Sequence, residues 1–190
     1  MNTEASSESG NLHGMPVSFL LKNCITPKRE SLKNFVPTIE PKNVVYVGLR
    51  DVEIAELKML QHLNIKYYSM CDVDKFGIDK VMEMALDHVS GPNGQNPLHV
   101  SFDIDSVDAT ITGSTGTAVP GGLTLREALR IAEIVYETRR MIALDMVEFN
   151  PLIGTADDVQ KTARATIEII LSFLGKSRLG EYHVCKEKHN

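Results

Sequence analysis

The chain has 190 residues, of which 43% are hydrophobic and 24% are charged, and its formal net charge is −5. These values indicate an ordinary globular domain, or a large part of one. No run of lysine and arginine exceeds two residues and no apolar stretch approaches about 20 residues, so neither a nucleic-acid partner nor a membrane span is expected.

The three cysteines, Cys24, Cys71 and Cys185, are odd in number and far apart. Their spacing is typical of a reducing compartment and matches neither a disulfide framework nor a zinc site.

Hydrophobic patterning predicts alternating strands and helices after a polar loop at 1–14 and a short helix at 16–21. A proline-containing loop at 26–42 leads into the strand 43–49, the helix 53–63, the strand 66–70 and the helix 74–89. Several apolar residues are expected to face inward in these two helices: Ile54, Leu57, Leu60 and Leu63 in the first, and Phe76, Ile78, Val81, Met84, Ala85 and Val89 in the second.

The next strand, HVSFDIDSVD at 99–108, is apolar and ends in acids. In an extended strand Asp103 and Asp105 would point the same way, about 7 Å apart. Two carboxylates on one face are stabilised by hard divalent cations, so the pair predicts a metal site. The alternative from the residues alone is a cluster that caps a turn.

A glycine-containing loop at 109–122 precedes a helix that should begin at Thr124, where Glu127 completes a capping box. The strand 141–147 is followed by Glu148, and Thr155 should open a last helix to about residue 174. Alternating strands and helices predict a parallel sheet, whose ligands bind beyond the carboxyl ends of the strands. Asp51, Asp103, Asp105 and Glu148 all lie at that end, so they are expected to converge.

Five segments together resemble the arginases, the dimanganese enzymes of the ureohydrolase superfamily: SFDIDSVD, TGTAVPGGLT at 115–124, LDMVEFNP at 144–151, GLRDVE at 48–53 and SGNLHG at 9–14. The resemblance implies hydrolysis of L-arginine to L-ornithine and urea. It also implies a three-layer α/β/α fold with a mainly parallel sheet whose first strands are missing from this chain. Residues 1–190 would form a single partial domain, with 1–14 as a substrate-binding loop and 184–190 as a tail.

The resemblance also implies roles for individual residues. Asp103 is similar to the carboxylate that bridges two Mn²⁺ ions, and Asp105 to a ligand of one of them. His13 is similar to a histidine that shuttles protons, a task suited to imidazole. Glu148 is similar to the acid that pairs with the guanidinium group, and Thr117 to its neighbour in the pocket.

The remaining candidates would bind the α-carboxylate and α-ammonium groups of the substrate. Four match positions that bind the α-carboxylate, namely Asn2, Ser7, Ser9 and Asn11, and three match positions around the α-ammonium, namely Asp51, Glu53 and Glu56. The alternative is that they are solvated polar residues of loops.

The chain also departs from the family pattern. Four of the six expected metal ligands belong to segments that precede SGNLHG in the family, so we expect this chain to be an inactive fragment. Ser106 stands where glycine is usual, which would strain the turn if its φ were positive. Glu53 replaces aspartate, and Ala109 and Gly113 stand where proline is common.

Two other functions stay open: an agmatinase-type ureohydrolase and a truncated non-catalytic subunit. The family forms homotrimers through charged residues that match Arg126, Glu127 and Arg178. A cytoplasmic location is expected, with a mitochondrial one open because a targeting segment would lie in the missing part.

Overall fold

The computed structural model describes residues 1–22, 24, 32, 34–91 and 93–178. The tail expected at 184–190 lies outside these residues. The elements in chain order are α1 (Pro16–Leu20), β1 (Val45–Leu49), α2 (Ile54–His62), β2 (Lys66–Ser69), α3 (Met70–Phe76), α4 (Ile78–Val89), β3 (Leu98–Asp103), α5 (Leu125–Glu137), β4 (Met141–Val147) and α6 (Ala156–Phe173).

Both strand pairs are parallel, as predicted. β1 pairs with β2, with Tyr46 opposite Tyr67, and β3 pairs with β4, with Phe102 opposite Met146. Within the described part of the chain these pairs form two separate two-stranded sheets. Each connection inside a pair is made by a helix-containing crossover, as parallel pairing requires.

One hydrophobic core serves both strand pairs. Tyr68 of β2, Phe102 of β3 and Ile169 of α6 are buried in the same cluster. The rings of Phe102 and Phe173 meet edge to face with their centroids 5.8 Å apart, an arrangement that aromatic rings favour. A smaller cluster, built on Leu21, Leu60 and Ile65, holds the region of α1 and α2.

The predicted helix starts at Thr124 and Thr155 are confirmed. The Thr124 hydroxyl accepts from the Glu127 N–H and the Thr155 hydroxyl from the Asp158 N–H, and each threonine completes a capping box. These caps fix where α5 and α6 begin on either side of β4.

The predicted single helix at 74–89 is wrong. Helix α3 begins earlier, at Met70, because Ser69 forms a capping box with Asp72. It stops at Gly77, whose φ of 75° and ψ of 156° are accessible to glycine and incompatible with a continuing helix. Helix α4 then starts afresh at Ile78.

Two of the side chains expected to face inward do not. Ile54 is 74% exposed because it occupies the first position of α2, and Phe76 is 44% exposed because it is the last residue of α3. Leu60 is buried, as predicted. None of the helices within residues 1–22, 34–91 and 93–178 is both long and apolar enough to cross a membrane.

Candidate functional site

The carboxyl ends of β3 and β4 bring two of the predicted acids together. Asp103 is the last residue of β3 and lies opposite Val147, the last residue of β4, so Glu148 follows at the same edge. Burial and the charge of Asp105 are the main causes that raise the pKa of the Asp103 carboxyl, and the charge of Glu148 adds to them.

Asp105 reaches this edge by a different geometry from the one predicted. The strand ends at Asp103, and Ile104–Ser106 forms a turn of 3₁₀ helix, so the alternation of an extended strand does not extend to Asp105. The Asp105 N–H donates to Oδ1 of Asp103 at 3.1 Å. The turn therefore interrupts the extended backbone on which the expected spacing of about 7 Å depends.

The Asp103 carboxyl is unusually basic. Burial is the main cause, and the neighbouring charge of Asp105 adds to it, so the pKa of Asp103 rises to about 7. A partly buried carboxylate beside a second acid is costly in free energy unless a cation or a proton neutralises it. A proton or a cation at this edge would therefore stabilise the folded chain.

Thr117 joins the acids through its hydroxyl, which donates to Oδ2 of Asp105 at 2.6 Å. The loop that carries it is closed at its base by the Asp108 carboxylate, which accepts from the N–H groups of Gly121 at 2.7 Å and Gly122 at 3.2 Å. The Thr110 hydroxyl and N–H donate to the same carboxylate. Led by the bonds from Thr110, these contacts lower the pKa of Asp108 to about 2.

His13 lies next to Glu148, with Nδ1 of the imidazole 4.0 Å from Oε1 of the carboxylate. The imidazole is 55% exposed, so it borders both the site and the solvent. Glu148 itself has a φ of 67°, a conformation that side-chain-bearing residues rarely adopt. Such backbone strain is found at functional positions more often than elsewhere.

Residues 2–14 form a closed loop, since the Asn2 N–H donates to the Gly14 carbonyl at 2.9 Å. The hydroxyls of Ser7 and Ser9 accept from backbone N–H groups of the loop at 3.1 and 3.3 Å. The Asn11 side chain is exposed. Asn2 is only 8% exposed.

The side chain of Asn2 connects this loop to α2. Its Nδ2 donates to Oε2 of Glu53 at 3.3 Å, while its Oδ1 accepts from the Ser6 hydroxyl. Glu53 caps α2, and the Glu56 carboxylate accepts from the Glu53 N–H and from the amino group of Met1. These three predicted binding residues therefore have structural partners already.

The exposed Asp51 lies between β1 and α2, at the carboxyl end of β1. Asp51 thus lies at the carboxyl end of its strand, and Asp103 and Glu148 also lie at the carboxyl ends of their strands. The structure thus links Asp103, Asp105, Thr117, Glu148 and His13 in one group, and Asn2, Glu53 and Glu56 in another.

Ser106 does not carry the strain that was considered for it. Its φ is not positive, because it belongs to the turn Ile104–Ser106. The cost is of another kind: within the described residues its buried hydroxyl has no hydrogen-bond partner.

The residues present do not fit two complete manganese sites. Across residues 1–22, 34–91 and 93–178, no group of three or more His, Cys, Asp and Glu side chains is placed to hold a metal ion. Asp103 and Asp105 supply two carboxylates, whereas octahedral ions need several further ligands.

The positions considered for subunit contacts belong to α5 and to the segment after α6. Arg178 forms a two-pronged ion pair with Glu133, with both N···O distances 2.7 Å. The Glu127 side chain is used in the cap of α5, and Arg126 is exposed.

A parallel α/β scaffold with paired acids at the strand ends defines a class of protein that binds ligands at that edge. The model of the family described as "Arginase family" matches residues 1–175. An arginase from Glaciozyma antarctica is 45% identical over 181 residues, covering 94% of this chain and 52% of the relative. Arginase-1 of Homo sapiens is 44% identical over 186 residues, covering 96% and 57%.

The crystal structure of arginase from Bacillus caldovelox superposes with a TM-score of 0.83 at 31% identity, covering 93% of this chain and 57% of that one. The predicted three-layer α/β fold is therefore confirmed. The chain belongs to the arginase family. It spans about half the length of the curated relatives it matches.

Proposed function

We propose that this chain carries the guanidinium-holding part of an L-arginine hydrolase site. The observation that supports this most directly is the convergence of Asp103, Asp105, Thr117 and Glu148 at one sheet edge. Glu148 would accept two parallel hydrogen bonds from a guanidinium group, and such paired bonds fix orientation as well as adding binding energy. Thr117 would line the same pocket, and His13 would exchange protons with solvent at its mouth.

The closed loop 2–14 and the start of α2 would bind the amino-acid end of the substrate. Ser7, Ser9 and Asn11 supply hydroxyl and amide groups for an α-carboxylate, while Asp51, Glu53 and Glu56 supply negative charge for an α-ammonium. The contact between Asn2 and Glu53 supports this division, because it holds the two segments side by side.

We further propose that the chain alone releases no urea. Two carboxylates would hold a divalent ion weakly, since most of its coordination sites would remain hydrated. The test is a urea assay of the purified chain with L-arginine and excess Mn²⁺, with human arginase-1 as the positive control. Urea release at a rate near that of the control would contradict the proposal.

A chimera tests the substrate. The matched segment of human arginase-1 is replaced by residues 1–175 of this chain, and urea release from L-arginine is compared with that from agmatine. We expect release from L-arginine only, and we expect Glu148→Gln in the chimera to abolish it. Release from agmatine only would support the agmatinase alternative, and a folded chimera inactive on both would support a non-catalytic subunit.

The homotrimer is also a proposal, and light scattering of the purified chain tests it. A strict monomer at micromolar concentration would leave Arg126 and Arg178 as surface residues only. A cytoplasmic location remains part of the proposal, and imaging of a tagged chain tests it.

A further inference from the structure

Arg50 directly follows β1, and within the described residues the hydrogen bonds of its guanidinium go to backbone carbonyl oxygens near the candidate site. Its Nη2 donates to the Asp105 carbonyl at 2.5 Å and to the Val119 carbonyl at 2.7 Å. Its Nε donates to the same Val119 carbonyl at 3.2 Å, and its Nη1 reaches the Ser106 carbonyl at 3.5 Å. One side chain therefore contacts two backbone segments at once.

These contacts join the end of β1 to backbone segments that lie outside the β1–β2 pair. Arg50 directly follows β1 of the β1–β2 pair, whereas Asp105 lies in the turn after β3 and Val119 in the loop at 109–122. Within the described residues the two strand pairs are not paired with each other. The planar guanidinium suits this task because its donors lie in a fixed fork, unlike the single ammonium of lysine.

Both segments held by Arg50 carry side chains of the site. Asp105 is held through its own carbonyl, and Thr117 lies two residues before Val119 in the same loop. The Thr117 hydroxyl meets the Asp105 carboxylate at 2.6 Å, so fixing the two backbones fixes the relation between the two side chains. Displacements of about 1 Å in such constellations strongly reduce reaction rates.

We propose that Arg50 is a positioning residue that sets the placement of Asp105 and Thr117 without touching the substrate. The consequence for catalysis rests on the proposed function, whereas the structural role does not. Arg50 should hold the turn and the loop together whether or not the site is occupied.

Hydrogen exchange in the purified chain tests the structural role. In Arg50→Met we expect the amides of Asp105, Val107 and Gly121 to exchange about tenfold faster or more, with the β4 and α6 amides unchanged. Arg50→Lys keeps the charge but has one donor nitrogen in place of three, so its exchange rates should lie between those of the parent and those of Arg50→Met. Arg164→Met, at an exposed position of α6, is the control and should change none of these amides.

Two results would overturn the structural role. One is an Arg50→Met variant that folds and exchanges at the unaltered rates. The other is an Arg50→Lys variant that exchanges at the unaltered rates. This second result tests the structural role even if Arg50→Met does not fold.

The human arginase-1 chimera tests the consequence for catalysis. There Arg50→Met should lower kcat for L-arginine about tenfold or more with a smaller change in KM, and Arg164→Met should change neither. Faster exchange with an unaltered kcat would overturn the positioning role. If the parent chimera releases no urea from L-arginine, the proposed function fails, and the exchange rates still decide the role of Arg50.

Discussion

At the scale of single residues, the pKa values of Asp103 and Asp108 are shifted in opposite directions, although the two acids are only five positions apart. Burial raises the pKa of Asp103, whereas hydrogen bonds from Thr110 and the loop lower that of Asp108. A strand-end acid and a loop-closing acid thus have different tasks. The sequence alone identified both as acids but indicated only the first as functional.

The first prediction concerns Asp103. Its folded pKa of about 7 exceeds the ordinary value, so the contribution of Asp103 to the stability of the fold should decrease as the pH rises from about 4 to 7. Asp103→Asn is uncharged throughout, so at pH 8 it should exceed the parent in free energy of unfolding by roughly 1–4 kcal/mol. Urea denaturation at pH 4 and pH 8 measures this.

The control for that experiment is Asp74→Asn, at an exposed position of α3. It should show no such dependence on pH. If Asp103→Asn were less stable than the parent at pH 8, the claim that the ionised Asp103 carboxylate destabilises the fold would be refuted.

The second prediction concerns Asp108, and its sign is reversed. Because the folded pKa is lowered to about 2, the carboxylate stabilises the fold above about pH 4, and this contribution is lost as the pH falls toward 2. Asp108→Asn should therefore unfold at lower urea concentration than the parent at pH 7, and the two should converge near pH 2. A constant gap between the two denaturation midpoints from pH 7 to pH 2 would contradict this.

At the scale of elements, the loop at 109–122 is closed by backbone as well as by Asp108. The Asp108 N–H donates to the Leu123 carbonyl and the Leu123 N–H to the Ser106 carbonyl, both at 2.9 Å. Val107 and Leu123 thereby form a parallel bridge next to β3. Gly122 lies at this closure, where a Cβ atom would come within 2.7 Å of the Ser106 carbonyl oxygen.

The third prediction follows from that close approach. Gly122→Ala forces the base of the loop apart, so it should lower the free energy of unfolding by on the order of 2 kcal/mol and move Thr117 away from Asp105. Thermal unfolding measures the first effect, and the chemical shift of the Thr117 methyl group the second. Gly116→Ala is the matched control, since a Cβ there meets nothing within 4 Å.

An unchanged melting temperature for Gly122→Ala would show that the loop base is looser than the structure indicates. A loss as large in Gly116→Ala would show that any added methyl group in this loop is destabilising. Either result would remove the closure of the loop as the reason for the placement of Thr117.

The elements also show what a sequence can predict. Strand and helix types, the parallel pairing and the caps at Thr124 and Thr155 follow from local pattern, and the structure confirms them. The break at Gly77 was missed because the apolar spacing continues across it. The turn after Asp103 was missed because acids and apolar residues alternate through residues 103–105. That alternation is also the pattern of an extended strand.

At the scale of the whole molecule, the convergence of the acids follows from topology. Parallel strands place their carboxyl ends at one edge, so the proximity of Glu148 and Asp103 could be anticipated from the order of elements. The contacts of Arg50 could not, because they depend on how two strand pairs and a loop meet in space. The same holds for the left-handed backbone of Glu148, since the sequence places no glycine there.

The central claim is that Asp103, Asp105, Thr117 and Glu148 form one cation-attracting site. Paramagnetic line broadening of the amide spectrum during addition of Mn²⁺ to the purified chain tests it most directly. The account predicts that signals from 103–106, Thr117 and Glu148 broaden first, and that Asp103→Asn weakens the effect. Broadening concentrated at exposed acids such as Asp79 and Asp157, with these signals left sharp, would contradict it.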